Sequence, residues 1–320
     1  MGAAVTPGLG FGGAVIGGLH QWVDEETALA AVNAAWSLGV RFFDTAPHYG
    51  LGLSERRLGA ALAGRPRSEY VLCTKVGRVL VPSPESAGRR DESFDVPADH
   101  RRVWDFSAAG VRRSLESSVD RLGVDRVDIV LLHDPDDHWE QAIGEAYPAL
   151  HELRDQGVVG AIGAGMNQWQ MLQRFVAETD LDTVMLAGRY TLLEQTALDS
   201  MLPMCVRRGV SVLAAGVFNS GLLAVDRPGP GATYDYTTAP PELRERALRI
   251  GEVCAAHGVS VPQAAMAFAA AHPAVAQVVV GIRTAEQMRA NAELFRRPVP
   301  PGLWPDLVAA GLLRADAPVP

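Results

Sequence analysis

The chain has 320 residues, 48% hydrophobic and 21% charged, with 29 Lys and Arg against 37 Asp and Glu for a formal net charge of −8. This acidic balance disfavours nucleic acid and anionic membrane as main partners. With 32 Gly and 21 Pro the chain also stays below the low-complexity range, so it reads as a folded globular protein. Among the basic residues Lys75 is the one lysine; all the others are arginine. Cys73, Cys205 and Cys254 are odd in number and far apart, which argues against a disulfide framework or a C-x-x-C metal pair. No charge-free apolar stretch reaches about 18 residues and no basic start precedes an apolar run, so a cytoplasmic protein is expected.

In chain order the first motif is Gly8-Leu9-Gly10-Phe11-Gly12-Gly13, which matches G-x-G-x-x-G literally. A dinucleotide fingerprint opens straight into a helix, whereas this run continues into Ala14-Val15-Ile16-Gly17-Gly18. It is read instead as a weak Gly-rich strand of close-approach backbone. A helix over Asp24–Leu38 follows, with Leu29, Val32 and Trp36 at helical spacing. Val40–Asp44 is the first clear buried strand, before a helix that Ser54 would cap with Glu55 in its first turn.

Tyr70–Lys75 is the next strand, followed by a long loop at 77–106 and a helix at Ser107–Leu122. Val127–His133 (V-D-I-V-L-L-H) is nearly all apolar, as expected of a parallel strand covered on both faces. Val158–Gly163, Thr183–Ala187, Val210–Ala215 and Gln277–Val280 complete the set, with a second long loop at 217–240. About eight β/α units without a boundary linker predict a single α/β domain over 1–320, a (β/α)8 TIM barrel. Its two long loops are expected to cover the C-terminal face, where such barrels build their sites.

The run His133-Asp134-Pro135-Asp136-Asp137-His138 looks like a metal cluster. Adjacent residues of a Pro turn cannot all converge on one ion, and Asp136 or Asp137 would equally cap a helix starting near His138, so no metal is expected. A better constellation lies at the strand ends. Asp44 ends the second strand with Tyr49 five residues on, Lys75 ends the third, and His133 ends the fourth. Parallel barrel strands place these ends on one face. A phenol is a poor acid or base at pH 7, an adjacent ammonium favours its anion, and a carboxylate keeps that ammonium charged. A neutral imidazole orients a carbonyl or hydroxyl oxygen. This is acid–base machinery for a carbonyl/alcohol pair, and it requires a separate hydride carrier.

F-F-D-T-A-P-H-Y-G-L-G-L-S-E-R-R-L-G, C-T-K-V-G, D-I-V-L-L-H-D-P-D and G-I-R-T-A-E-Q-M-R-A-N together resemble the aldo-keto reductase superfamily, from about residue 5 to 295. L-L-H-D-P-D and A-G-R-Y-T-L-L are most similar to its branch of aldose and pyridoxal dehydrogenases. The resemblance implies a barrel binding NAD or NADP without a Rossmann motif, with Asp44, Tyr49, Lys75 and His133 as its catalytic tetrad. The implied activity is oxidation of an aldose or pyridoxal hemiacetal to its lactone, with general aldehyde reduction by NADPH as the alternative. A third reading is a cofactor-binding regulatory subunit.

The sequence also departs from the family. Met166-Asn167 stands where Ser-Asn usually holds the carboxamide, leaving Asn167 as the carried-over contact. Ala187 and Ala215 replace a glutamine and the nicotinamide-stacking aromatic, with Arg189 or Phe218 as candidate substitutes. Gly281, Arg283 and Thr284 open the last helix, where unpaired N–H groups suit a phosphate, and Gln287 and Asn291 resemble adenosine-side contacts. Gly281 and Gln287 stand where NADP-preferring relatives place cations, which favours NAD. His48, Trp22, Trp104 and Tyr234 are the candidate pocket walls. The expected partner is a small sugar or aldehyde, and the expected state a monomer or homodimer.

Overall fold

The computed structural model describes residues 8–86 and 88–320, and in it eight parallel strands close into a barrel. They are β1 (Gly8–Gly12), β2 (Phe42–Asp44), β3 (Val71–Val76), β4 (Val127–His133), β5 (Val159–Met166), β6 (Thr183–Ala187), β7 (Ser211–Ala215) and β8 (Val275–Gly281). Between and after them run α1 (Glu25–Ser37), α2 (Leu53–Leu62), α3 (Ala108–Leu122), α4 (Tyr147–Asp155), α5 (Gln170–Glu178), α6 (Met201–Arg208), α7 (Val261–Ala270) and α8 (Ala285–Arg296). Additional helices at Pro241–Ala256 and Leu303–Ala309 precede α7 and follow α8. No single described helix is long and apolar enough to cross a membrane.

Closure depends on β1, which pairs with β2 on one side and with β8 on the other, from Gly8 opposite Gln277 to Gly12 opposite Gly281. Its glycines have a packing reason: a Cβ at Gly10 would come within 2.9 Å of the Phe42 ring. The G-x-G-x-x-G match is thus a barrel strand. Phe42, Cys73, Leu131, Met185, Leu213 and Val279 fill the interior, and a larger apolar layer joins strands to helices. The barrel is a packed core with its working surface at the strand ends.

Local signals explain the helices. Asp24 accepts from the Thr27 amide at 2.8 Å to start α1, and Ser107 accepts from the Gly110 amide at 3.0 Å to start α3, caps each contributing about 1 kcal/mol. Three expectations need correction. Gly52, not Ser54, is the N-cap of α2, because the Ser54 hydroxyl is turned inward to donate to Gly13 O at 2.8 Å. Neither Asp136 nor Asp137 caps the helical turn at Trp139–Gln141, whose N-cap is His138 with no side-chain cap. Strand β5 runs on to Met166 and β8 spans Val275–Gly281, both longer than their apolar runs.

Both long loops are built structures. In the first, Arg78–Pro82 and His100–Trp104 form an antiparallel hairpin, and Phe94 and Val96 pack with Leu51 in a small apolar cluster. In the second, Thr233–Tyr234 pairs with Thr237–Thr238. The Arg189 guanidinium ties it down by donating to both oxygens of Asp235 at 3.0 and 2.6 Å.

Candidate active site

The turn after β2 carries Tyr49. Gly50, Leu51 and Gly52 all have positive φ, and a Cβ on Gly50 would lie 2.1 Å from Gly17 O. The T-A-P-H-Y-G-L-G sequence therefore encodes a tight left-handed turn pressed against the β1–α1 loop. It sets the Tyr49 ring 4.7 Å from Lys75 Nζ and 5.8 Å from the His133 ring, centroid to centroid.

Lys75 is 1% exposed and Asp44 3%. The ammonium donates to Asp44 Oδ1 at 2.7 Å, Asp44 Oδ2 at 2.9 Å and Thr45 O at 2.9 Å. Burial alone would strip its proton. The charges of Asp44 and, to a lesser degree, Tyr49 and Cys73 more than offset that, so its pKa rises above the ordinary lysine value. A second polar layer fixes these groups. The Thr45 and Ser54 hydroxyls are 2.8 Å apart, and the fully buried Glu55 accepts from Thr74 Oγ1 at 2.8 Å while pairing with Arg121 at 2.6 Å.

Tyr49 differs from the sequence expectation. Lys75 does pull its pKa down, but burial pushes it up more strongly, and the net direction is above the usual phenol value. The phenol is the resting form. His133 is driven well below 6.5 by burial first and then by the Arg78 and Lys75 charges, so its imidazole is neutral. His48 stacks edge-on against His133 at 5.5 Å and against Phe94 at 5.1 Å, and burial takes its pKa down to about 2. The Nδ1 atoms of both histidines are buried without a hydrogen-bond partner among the described residues.

The remaining pocket candidates separate. Trp104 is 46% exposed, lies under the Arg78 guanidinium at 4.3 Å and stacks with Phe106 and His138. Trp22 is at the outer rim between Arg57 and Arg90, its amide donating to Asp95. Tyr234 points away: it is buried and its hydroxyl donates to Glu194. Tyr236 is the tyrosine of that hairpin that reaches the site. Its side chain is 56% exposed, and its ring lies 5.9 Å from that of His20. Arg189 is engaged by Asp235, and Phe218 packs against the core.

Two charged residues escaped the sequence reading. Arg78 forms a part-buried ion pair with Asp134, immediately after His133, and Arg102 donates to Asp91 and to His48 O. Arg78 follows Lys75 by three positions, but its partner comes from the next strand end, a pairing no local pattern announces. The His133–His138 run disperses: Asp134 turns to Arg78, Asp136 accepts from Gln168, and His138 stacks on Trp104. Among the described residues no group of three His, Cys, Asp or Glu side chains is placed to hold a metal ion.

At the end of β8, Gly281 is exposed and Thr284 caps α8 by accepting from the Gln287 amide at 3.2 Å. The Arg283 amide donates to Gln287 Oε1 at 2.9 Å, and its guanidinium donates to Gln21 Oε1 at 2.6 Å. Its Nε–H is buried without an acceptor. Asn291 lies one turn further along α8, partly buried. The unpartnered Arg283 Nε–H beside the positive end of the α8 dipole fits the phosphates of a dinucleotide.

The model of the Aldo/keto reductase family matches residues 8–308. The chain is 47% identical over 311 residues to the D-threo-aldose 1-dehydrogenase of a Pseudomonas species, covering 96% of this chain and 94% of that protein. It is 37% identical over 325 residues to the pyridoxal 4-dehydrogenase of Microbacterium luteolum, covering 95% and 94%. Among solved structures it resembles the holo form of an aldo-keto reductase from Bacillus halodurans, with TM-score 0.76, 25% identity and coverage of 97% and 93%.

Proposed function

Since this chain belongs to the aldo/keto reductase family and is an NAD(P)-dependent oxidoreductase, we propose that it oxidises the hemiacetal form of an aldose, or of pyridoxal, to the corresponding lactone. The observation that carries the reading is the charged Lys75–Asp44 pair set under Tyr49, with a neutral His133 facing the same phenol. The aldose and pyridoxal dehydrogenases that the chain resembles suggest the substrate class, since aldoses and pyridoxal both exist largely as internal hemiacetals.

The roles follow from the geometry. In this direction Tyr49 works as its anion: the phenol first releases its proton to solvent, Lys75 stabilises the tyrosinate so formed, and the tyrosinate takes the substrate hydroxyl proton and returns to phenol as the C–H bond breaks. Asp44 and Thr45 O hold the ammonium in place, consuming its three hydrogens. Neutral His133 orients the reacting oxygen by a hydrogen bond and does not exchange its own charge. When bound, a nicotinamide dinucleotide supplies the hydride acceptor. Gly281, Arg283, Thr284, Gln287 and Asn291 would hold its adenosine and phosphate end, and Asn167 its carboxamide. NAD is favoured over NADP because the 281–284 loop carries one cation, Arg283, and that guanidinium already serves Gln21. A 2′-phosphate would find little compensating charge there.

The test is absorbance at the NADH wavelength with L-fucose, D-arabinose, L-galactose and pyridoxal in parallel, for the wild type and Tyr49→Phe. Turnover of at least one substrate by the wild type is expected, with loss of about 10²- to 10⁴-fold in the variant and nearly intact cofactor binding. An active Tyr49→Phe enzyme removes the mechanism. An inert wild type removes the substrate class.

A further inference from the structure

We propose that Asp134, braced by Arg78, reads a hydroxyl on the carbon next to the reacting one, so that the preferred substrate is an α-hydroxylated hemiacetal, an aldose. This rests on the preceding reading that the reacting centre is a hemiacetal carbon.

Asp134 is held in an unusual posture. Its φ is +45°, a left-handed conformation that Asp tolerates better than most residues, and its amide donates to Gly165 O at 3.0 Å. This turn out of β4 directs the carboxylate back beside His133, where Oδ2 lies 3.6 Å from Nε2. Oδ2 also accepts from Arg78, and the two side chains are only 22% and 14% exposed. The guanidinium is fixed in turn over the Trp104 ring.

The pair is incompletely satisfied. Among the described residues no hydrogen bond reaches Asp134 Oδ1, and Arg78 Nε–H is buried without an acceptor. Arg78 thus holds one carboxylate oxygen, while Oδ1 is not enclosed and stands open to a donor from the mouth of the site, which a substrate hydroxyl supplies. With Oδ2 held by Arg78 and only 3.6 Å from His133 Nε2, the imidazole and the open Oδ1 of the same carboxylate are near enough to bond oxygens on adjacent carbons, one each. Aldoses carry that second oxygen at C2. In pyridoxal the carbon next to the reacting one is a ring carbon without a hydroxyl, and a simple aldehyde lacks the oxygen as well. A part-buried carboxylate that bonds a substrate hydroxyl disfavours the analogue without it, because the analogue displaces water from the oxygen and gives no donor in return.

D-Arabinose and 2-deoxy-D-erythro-pentose differ only in that C2 oxygen, so the ratio of their kcat/KM values isolates the contact. The wild type is expected to favour arabinose by roughly 10- to 100-fold, the range for a hydrogen bond to a charged group. In Asp134→Gly, which suits the positive φ, the ratio should fall to within about threefold. Asp134→Asn, which keeps the shape and left-handed preference without the charge, should lower it too. If Asp134 acted only through the His133 environment, both pentoses would slow alike and the ratio would stand, overturning the proposal. A wild type that does not discriminate overturns it as well. Turnover of arabinose with an unchanged ratio in both variants defeats the proposal alone, whereas turnover of neither pentose by the wild type defeats it together with the aldose reading.

Discussion

Lys75→Met removes the ammonium and keeps an unbranched apolar stem in its place. The lost group makes three hydrogen bonds of 2.7–2.9 Å, and both ion-pair side chains are 4% exposed or less. Breaking a buried pair from one side leaves an uncompensated carboxylate and costs about 3–5 kcal/mol. At roughly 2.1 cal/mol/K of unfolding entropy per residue, a chain of this length has about 0.7 kcal/mol/K, so Tm should drop by about 4–7 °C. Turnover should fall by about 10²- to 10⁴-fold, because Tyr49, already raised by burial, loses the charge that opposes the rise. Thermal unfolding by circular dichroism and turnover, measured on one preparation, separate the two effects. Adding Asp44→Asn to Lys75→Met removes the stranded carboxylate, and the double variant should recover most of the Tm but none of the activity. A wild-type Tm in Lys75→Met, or additive losses in the double variant, would refute the account of the pair.

Lys75→Arg keeps the charge but replaces a compact donor with a broad planar fork, so turnover should still fall by at least about tenfold; normal kcat would contradict this. His48, His133 and His272 all have folded pKa values below the ordinary 6.5, His48 at about 2 and His272 at about 4, burial being the main cause. The unfolded chain then binds the extra protons, so this stability is present above pH 6.5 and lost as pH falls. The three together should cost about 4 kcal/mol between pH 8 and pH 5.5. Urea titrations at the two pH values check this, and His272→Asn should reduce the loss by about a third; no change in the pH slope would count against buried neutral histidines. For the cofactor, kcat/KM with NAD should exceed that with NADP, and a preference for NADP of about tenfold would end the NAD assignment.

Features whose cause is local were legible in the sequence. Thr183–Ala187 is a strand because an apolar run buried on both faces needs no partner to declare itself, and Asp24 and Ser107 mark helix starts because the caps bond three residues ahead. The tetrad was legible for a related reason: parallel strands bring the ends of separate runs to one face, so Asp44, Lys75 and His133 share it without knowledge of any contact. What failed was set by partners distant in sequence. Ser54 sits like a cap but is claimed by Gly13 and Thr45. The Gly-rich β1 was legible only as a weak strand, because its residues have low intrinsic propensity and its place is fixed by pairing with β2 and β8. The Tyr49 pKa came out opposite in direction, since a neighbouring charge can be read from a motif whereas depth of burial is a property of the whole packed mouth. Tyr234 and Tyr236 are two residues apart in one hairpin, and only the reach of Glu194 decides which of them turns away.

The lone lysine joins these levels. A composition that uses arginine everywhere else still needs a donor here whose three hydrogens diverge from one atom, because the acceptors are the two oxygens of Asp44 and the carbonyl of Thr45. A guanidinium spreads its donors over a plane and suits a carboxylate edge-on, which is how Arg189 meets Asp235 and Arg102 meets Asp91. At the floor of the site the lysine is 1% exposed, its three acceptors converge on one nitrogen, and Cys73 and Leu131 are among the side chains that fill the barrel interior. The same burial keeps water away from the ammonium, so its field acts on Tyr49 through a low dielectric. Burial that raises the Tyr49 pKa and burial that strengthens the Lys75 charge are therefore one structural fact, and the proton-transfer balance of the site depends on how the two effects offset.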